Sequence, residues 1–244
     1  MPAVVTALAI APVKGMRLAT VDALEIEPTG VAGDRAYLVV DRENALLLST
    51  RTPALLGVAP RWHDGELALE FPDGSEVAAA PEPGAAAVTA NYEGRPIAGR
   101  LVEGELATAL SDHLGRPVRL LARDPAERGA DDAPVTLMSE ASFAALALPD
   151  PRRFRMSITI DGVGAWEEHG WGGSELAVGD AVLRVTEPVP RCVVTTRDPD
   201  SGRRDAPTLK ALADLRGKDD VTFGVWCDVV APGRVRRGDA VTPR

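Results

Sequence analysis

Cys192 has the surroundings that indicate chemistry most clearly in this chain. It lies between Arg191 and a pair of threonines in the segment Pro-Arg-Cys-Val-Val-Thr-Thr-Arg-Asp-Pro-Asp-Ser-Gly, residues 190–202. A neighbouring positive charge stabilises the thiolate form of a cysteine, and a thiolate can bind a soft metal ion or carry a sulfur atom. The alternative is a small apolar side chain packed in the core. In both cases the segment runs from a strand pattern into a turn, and Asp-Pro-Asp-Ser-Gly indicates that turn.

The other cysteine and the three histidines do not predict a second reactive centre. Cys227 and Cys192 are the only cysteines, so they cannot form a disulfide framework. Cys227 follows Trp226 in a strand pattern, so its side chain should point to the opposite face and pack in the core. The histidines show no spacing typical of a structural zinc site.

Short strands separated by turn residues must position these side chains. The clearest is a hairpin over residues 67–71 and 75–79, because Pro72 fixes φ and Gly74 accepts a positive φ. Residues 80–90 are rich in Ala, Pro and Gly and predict a surface loop. Further strands are predicted at residues 4–10, 36–41, 45–50, 134–138, 157–161, 175–177 and 181–187. Helices are predicted at residues 103–114, 140–148 and 207–216, with Ser139 as N-cap of the second. The predicted fold class is mostly β with a few helices (α+β), in a barrel or sandwich.

Composition excludes several classes of function. The formal net charge of −9 argues against a nucleic-acid partner, which would need a basic face. No apolar run approaches the roughly 18 residues of a membrane span, and the first residues lack the pattern of a signal peptide. We therefore expect a cytoplasmic protein with neither nucleic acid nor membrane as a partner. A local pocket for an anion is still compatible with this charge.

The segment around Cys192 resembles the signature of MOSC-domain proteins, a group that includes molybdenum cofactor sulfurases and amidoxime-reducing components. The resemblance lies in Arg-Cys-x-x-Thr-Thr-x-Asp-Pro-Asp-x-Gly, residues 191–202. Other blocks follow in the family's order, and this shared order along the chain makes the resemblance specific. They are Pro12-Val13-Lys14-Gly15, Gly33-Asp34-Arg35, Ser49-Thr50-Arg51, residues 137–142, Arg153-Phe154-Arg155, Trp166-Glu167-Glu168 and residues 223–239.

This resemblance implies an architecture and a cofactor. It implies an N-terminal MOSC-associated β-barrel module over residues 1–115 and a MOSC β-barrel over residues 116–244. The implied cofactor is molybdenum bound to molybdopterin, with Cys192 as the metal ligand and Asp131 as a catalytic residue that delivers protons. Cationic side chains suit the phosphate and the pterin carbonyls. The implied cofactor-binding residues are Lys14, Arg35, Arg51, Arg155, Ser157, Arg191 and Trp226.

Three departures from the family pattern affect the same site. Gly15 replaces a serine, Met156-Ser157 replaces Pro-Asn, and Ala133 lies where some relatives have Ser or Tyr. Each loss removes about one hydrogen bond, of order 1 kcal/mol, so we expect a lower affinity for the cofactor. We predict that Lys14, Arg35, Arg155 and Arg191 converge on one cleft that Cys192 lines and Cys227 does not.

Two functions from different classes follow from the resemblance. The first is an oxidoreductase that removes oxygen from N-hydroxylated or N-oxide small molecules. Its electrons would come from a separate ferredoxin- or flavin-type protein, because the chain lacks an iron–sulfur cysteine cluster and a G-x-G-x-x-G motif. The alternative is a sulfur carrier that holds persulfide sulfur on Cys192, received from a cysteine desulfurase with pyridoxal phosphate, for assembly of a cofactor or metal–sulfur centre. A binding module that has lost its chemistry is a third possibility.

Overall fold

The computed structural model describes residues 3–63, 65–126 and 131–244. Strands dominate both halves of the chain. The first half contains β1 Ala3–Ile10, β2 Ala19–Val21, β3 Ala23–Glu27, β4 Gly30–Val31, β5 Tyr37–Val40, β6 Ala59–His63, β7 Glu66–Glu70, β8 Glu76–Ala79, β9 Pro83–Tyr92, β10 Arg95–Val102 and β11 Arg119–Arg123. The second half contains β12 Val135–Ser139, β13 Ile158–Asp161, β14 Glu175–Val178, β15 Ala181–Pro190, β16 Thr222–Ala231, β17 Gly233–Arg236 and β18 Ala240–Pro243.

Helices are fewer and short. The α-helices are α1 Glu105–Leu114, α2 Glu140–Ala145 and α3 Thr208–Arg216, and 3-10 helices cover Pro53–Gly57, Pro151–Phe154, Glu167–Gly170 and Val193–Thr196. The oxygen Oγ of Ser139 accepts a hydrogen bond from the backbone N–H of Ser142 at 3.1 Å, which confirms Ser139 as the N-cap of α2. None of the helices in the described parts of the chain is long and apolar enough to cross a membrane.

Seven strands close into a β-barrel, in the order β13, β12, β16, β15, β14, β18 and β1. The ring closes because β1 pairs with β13, with Val5 opposite Ile160. The middle of β15 follows the period of a strand with one buried face: Leu183 and Val185 are buried, and Arg184 between them is exposed. The predicted mostly β fold with a barrel and few helices is confirmed.

The first half of the chain builds smaller sheets around its own apolar core. One sheet has the order β5, β11, β10 and β9, and another has the order β6, β7 and β8. Leu106 and Leu110, one turn apart on α1, pack into this core with Leu69 and Leu120. The predicted ranges 1–115 and 116–244 place β1 and β3 in the first module, whereas their hydrogen-bonded partners include β13, β17 and β18 of the second half.

Two predicted segments differ from the structure in kind, and α2 ends at Ala145 instead of residue 148. Residues 80–90, predicted as a loop, lie largely in β9, which pairs with β10 at an edge where most side chains are exposed. Residues 45–50, predicted as a strand, make only isolated bridges and then turn. The turn forms because the backbone N–H groups of Arg51 and Thr52 both bond the carbonyl of Leu48, at 3.0 and 2.7 Å. The predicted hairpin of β7 and β8 is confirmed.

Candidate functional site

A cleft of about 410 Å³ lies between the two halves of the chain. Both halves contribute to its walls, so residues distant in sequence meet there. Of the residues singled out from the sequence, those that line it are Lys14, Arg35, Asp131, Arg155, Arg191, Cys192 and Trp226. Apolar and hydroxyl-bearing side chains and the carboxylates of Glu93 and Asp132 complete the walls, and the uncharged residues include Leu47, Leu48, Ser49, Thr50, Tyr92, Thr136, Met156, Val189 and Val194. The predicted convergence of four basic residues on one cleft is confirmed.

Cys192 reaches this cleft because it lies between a barrel strand and a short helix. It follows β15 with an extended backbone (φ −106°, ψ 177°) and precedes the 3-10 helix Val193–Thr196. Its carbonyl accepts hydrogen bonds from the backbone N–H and the hydroxyl of Thr195, at 3.2 and 3.0 Å. The loop is thereby fixed through the backbone, and the residue is exposed.

Cys227 lies in a different environment. It is fully buried in the barrel core, where it packs among residues such as Val135 and Val185. Burial raises the pKa of its thiol to about 12. As predicted, Cys227 packs in the core, and it does not line the cleft.

Arg191 projects from the end of β15 against aromatic rings. Its Nε donates to the carbonyl oxygen of Phe223 at 3.0 Å, and its guanidinium carbon lies 5.3 Å from the centre of the Phe154 ring. Its Nη2 contacts the sulfur of Met156 at 2.6 Å. Burial lowers the pKa of this guanidinium. No carboxylate of the described residues pairs with it directly, although the charge of Asp131 acts on it over a longer range.

Arg155 occupies the cleft because the backbone turns there. It ends the 3-10 helix Pro151–Phe154 in a left-handed conformation, with φ of 57°, which is uncommon for a residue with a side chain. Within the described parts of the chain its guanidinium donates no hydrogen bond, although Asp131 and Asp34 attract it over a longer range. Burial and then repulsion by Arg35 lower its pKa. Arg155 is thus a second cation without a direct carboxylate partner.

Lys14 and Arg35 share one carboxylate, that of Asp131. Lys14 Nζ pairs with Oδ1, and Arg35 Nε lies 2.6 Å from Oδ2; Arg35 also pairs with Asp34. Burial alone would raise the pKa of Asp131, but the charges of Arg35 and Lys14 outweigh it and hold that pKa well below its ordinary value. A carboxylate that stays ionised is a weak proton donor. The geometry therefore favours orientation of two cations by Asp131 over the predicted delivery of protons.

Two predicted cofactor contacts lie outside the cleft lining. Arg51 points to solvent, with 76 % of its side chain exposed, because its guanidinium pairs with Glu93 at 2.9 Å. Ser157 is buried behind Thr136: its backbone N–H donates to Thr136 Oγ1 at 2.8 Å, and the two hydroxyl oxygens are 3.2 Å apart. Thr136 takes the place in the cleft wall that was predicted for Ser157.

Arg153 has a structural role that was not predicted from the sequence. Its side chain is fully buried and donates to the backbone carbonyls of Asp150, Thr195 and Arg197, at 3.0, 3.1 and 3.2 Å. It also pairs with the carboxylate of Asp205 at 3.2 Å. Arg153 therefore joins the turn that presents Arg155 to the loop that presents Cys192. The sequence block Arg153-Phe154-Arg155 contained it, but two arginines at this spacing do not reveal which one is buried.

The charges of the cleft are balanced unevenly. Lys14 and Arg35 have carboxylate partners, whereas Arg155 and Arg191 have none among the described residues. Placing a guanidinium out of water without an anion is unfavourable, and a bound anion would offset that cost. Two such groups beside an accessible thiol fit a ligand that carries both an anionic group and a soft metal ion.

Comparison with known proteins identifies the family to which the chain belongs. The MOSC domain family matches residues 124–242, and the MOSC N-terminal beta barrel domain family matches residues 2–117. Mitochondrial amidoxime reducing component 2 of Bos taurus is 26% identical, covering 97% of this chain and 82% of that protein. Mitochondrial amidoxime-reducing component 1 of Mus musculus is 28% identical, with 97% and 81% covered. Molybdenum cofactor sulfurase of Caenorhabditis elegans is 27% identical over 83% of this chain but only 30% of its own length. The chain belongs to the MOSC-domain proteins and carries the MOSC N-terminal β-barrel domain ahead of its MOSC domain.

Proposed function

We propose that this protein is a molybdenum-cofactor-dependent oxidoreductase that removes oxygen from N-hydroxylated or N-oxide small molecules, with Cys192 as the metal ligand. The observation that carries the proposal is the exposed Cys192 in one cleft with Arg155 and Arg191, two cations without a carboxylate partner. The similarity to amidoxime-reducing components along 97% of the chain supports the reaction class.

The residues of the cleft would divide the work of holding such a cofactor. A thiolate at Cys192 would bind the metal, and Arg155 and Arg191 would bind the anionic groups of the pterin. Lys14 and Arg35, held in position by Asp131, would complete the cationic wall. When bound, the cofactor would supply the centre that accepts an oxygen atom and exchanges two electrons.

The proposed reaction needs a source of electrons and a cleft that holds a small organic substrate. Conversion of an N–OH group to N–H and water consumes two electrons and two protons, and we assign the electrons to a separate ferredoxin- or flavin-type protein. The apolar side chains Leu47, Leu48, Val189 and Val194 line the cleft together with the charged groups. They would exclude water around a small organic substrate and strengthen the polar contacts inside.

A direct assay tests this proposal. Protein purified from a host that makes the molybdenum cofactor should reduce benzamidoxime to benzamidine with reduced methyl viologen as the electron source. Cys192→Ser should abolish this turnover, while Cys227→Ala, the matched change at the buried cysteine, should leave it nearly unchanged. Lack of turnover by a wild-type protein that contains molybdenum would refute the reductase assignment.

A second candidate is the sulfur carrier, and the exposed thiol of Cys192 is the observation that favours it. A cysteine desulfurase with pyridoxal phosphate would transfer sulfur from free cysteine to this thiol, giving a persulfide on Cys192 and alanine. Mass spectrometry after incubation with such a desulfurase and cysteine should then show one added sulfur atom on Cys192. The similarity to molybdenum cofactor sulfurase, across the part of that protein this chain spans, supports testing it.

A further inference from the structure

Tyr92 is a cleft residue to which the functions above assign no role. It is the last residue of β9, and the turn at Glu93 and Gly94 (φ of 51° and 92°) leads into β10 at Arg95. The tip of this hairpin reaches the cleft, so Tyr92 lines it from the N-terminal half of the chain. Cys192 lines the same cleft from the barrel.

Two cations hold the ring of Tyr92. The Nζ of Lys14 lies 4.7 Å from the ring centre, and the guanidinium carbon of Arg95 lies 4.8 Å from it. Lys14 is held in place by its ion pair with Asp131, and Arg95 lies 3.4 Å from a carboxylate oxygen of Asp132 at the surface. Cation–π contacts of this kind favour a single ring orientation. These contacts therefore orient the C–O bond of Tyr92, while the O–H group can turn toward an acceptor.

The hydroxyl of Tyr92 has no partner among the described residues, so it is free to bind a ligand. Burial, with the charges of Asp131 and Asp132, raises the pKa of this phenol to about 12. The group thus stays protonated and able to donate at neutral and moderately alkaline pH. The aliphatic hydroxyls of Ser49 and Thr50 also line the cleft, but a phenol is the more acidic group and the stronger donor.

We propose that the hydroxyl of Tyr92 donates a hydrogen bond to the oxygen of the substrate's N–O group. This inference rests on the proposed reductase function and adds the residue that recognises the oxygenated substrate. A site with a fixed donor favours the ligand that has the acceptor and disfavours the analogue that lacks it. The deoxygenated product offers no such oxygen, so Tyr92 also favours its release.

The chain provides a matched control, since Tyr37 is its other tyrosine. Tyr37 stacks on Trp62 with ring centres 6.0 Å apart and does not line the cleft. The test measures binding of pyridine N-oxide and of pyridine by calorimetry, with cofactor-loaded protein and no electron donor. Wild-type protein and Tyr37→Phe should prefer the N-oxide, and Tyr92→Phe should weaken N-oxide binding by about three- to tenfold with little change for pyridine.

Other outcomes of the same test decide against the inference. It is overturned if wild-type protein binds the two ligands equally, or if Tyr92→Phe keeps the full preference. It is also overturned if Ser49→Ala or Thr50→Val removes the preference and Tyr92→Phe does not. In the wild type the preference should persist to about pH 10, where an unperturbed phenol would be half ionised.

Turnover separates this inference from the proposed function. With reduced methyl viologen, Tyr92→Phe should raise KM for pyridine N-oxide and change kcat less, because the hydrogen bond forms in the bound substrate. A Tyr92-dependent binding preference without any reduction by the wild type would refute the reductase function and leave the binding role intact. If the wild type reduces pyridine N-oxide and Tyr92→Phe changes neither KM nor kcat, the reductase function is supported and the role of Tyr92 is refuted.

Discussion

Arg153 Nη1 donates a hydrogen bond to the backbone carbonyl of Thr195 at 3.1 Å, and thereby ties two functional loops together. Arg155 lies two residues from one end of this contact, and Cys192 lies three residues from the other. The hydroxyl of Thr208 donates to the same carbonyl at 2.7 Å, so α3 supports the contact as well. The positions of Cys192 and Arg155 relative to each other thus depend on an arginine whose side chain has no exposed surface.

Replacement of this arginine should be costly. Arg153→Ala leaves three backbone carbonyls without this donor, and we expect a loss of about 2–4 kcal/mol in the free energy of unfolding. Arg152→Ala is the matched control, because Arg152 is 44% exposed and pairs with Asp150 and Asp200 at the surface; it should cost less than about 1 kcal/mol. Urea denaturation measures both. Equal losses of stability for the two variants would contradict the role of Arg153 in joining the two loops.

Asp131 should make stability depend on acid pH. The pKa of Asp131 is depressed in the folded state. Its contribution to the free energy of unfolding is therefore fully present above the pKa of the unfolded chain, about 3.9. That contribution is lost as the pH falls below this value toward the lower pKa of the folded state. We expect the wild type to lose stability between about pH 5 and pH 2 more steeply than Asp131→Asn does. Asp132→Asn, at the exposed neighbour, should follow the wild type. If the stability of the wild type and of Asp131→Asn changes with pH in the same way, the ion pairs of Asp131 with Lys14 and Arg35 contribute nothing to stability.

The two cysteines should differ strongly in reactivity. Iodoacetamide should label Cys192 in the native protein, because that residue is exposed. It should reach Cys227 only after unfolding, because burial removes access and raises the pKa of that thiol. Peptide mapping by mass spectrometry measures the two rates, with urea-unfolded protein as the reference for equal access. Equal native labelling, or labelling of Cys227 alone, would contradict the placement of Cys192 in the cleft.

An anion should stabilise the cofactor-free protein through Arg155 and Arg191. Phosphate at about 100 times its Kd would add about 2.7 kcal/mol if it binds only the folded state. We expect a higher Tm in phosphate than in chloride of equal ionic strength, and a smaller increase for Arg155→Ala and for Arg191→Ala. Arg61→Ala, on an exposed ion pair with Glu70, should keep the full increase. An equal increase in all four proteins would indicate a general salt effect only.

Local sequence patterns predicted much of the fold, whereas long-range pairing was not accessible from them. The hairpin of β7 and β8 follows from a Pro-Asp-Gly turn, and the start of α2 follows from Ser139. The closure of the barrel depends on Val5 pairing with Ile160, a contact that no local signal encodes. Strand β9 was missed because its Ala-rich segment pairs at an edge and lacks the buried alternation that indicates a strand.

In the candidate site, too, contacts between residues distant in sequence were not predictable from local patterns. Motif resemblance identified Lys14, Arg35, Arg155 and Arg191, and the structure brings all four to one cleft. Spacing alone did not identify the partner of each charge. Arg51, for example, pairs with Glu93 on a hairpin 42 residues away, which directs its side chain to solvent.

Metal binding by Cys192 is tested by the molybdenum and pterin content of Cys192→Ser. Wild-type protein and Cys192→Ser would be purified from the same molybdenum-competent host, with Cys227→Ala as control, and analysed by mass spectrometry for metal and by fluorescence for oxidised pterin. Cys192 as the metal ligand predicts roughly one molybdenum and one pterin per chain in the wild type and the control. It predicts loss of molybdenum from Cys192→Ser at nearly unchanged Tm, because a hydroxyl replaces the thiolate ligand at an exposed position with little loss of volume. A wild-type protein without molybdenum or pterin, or full molybdenum retention by Cys192→Ser, would contradict it.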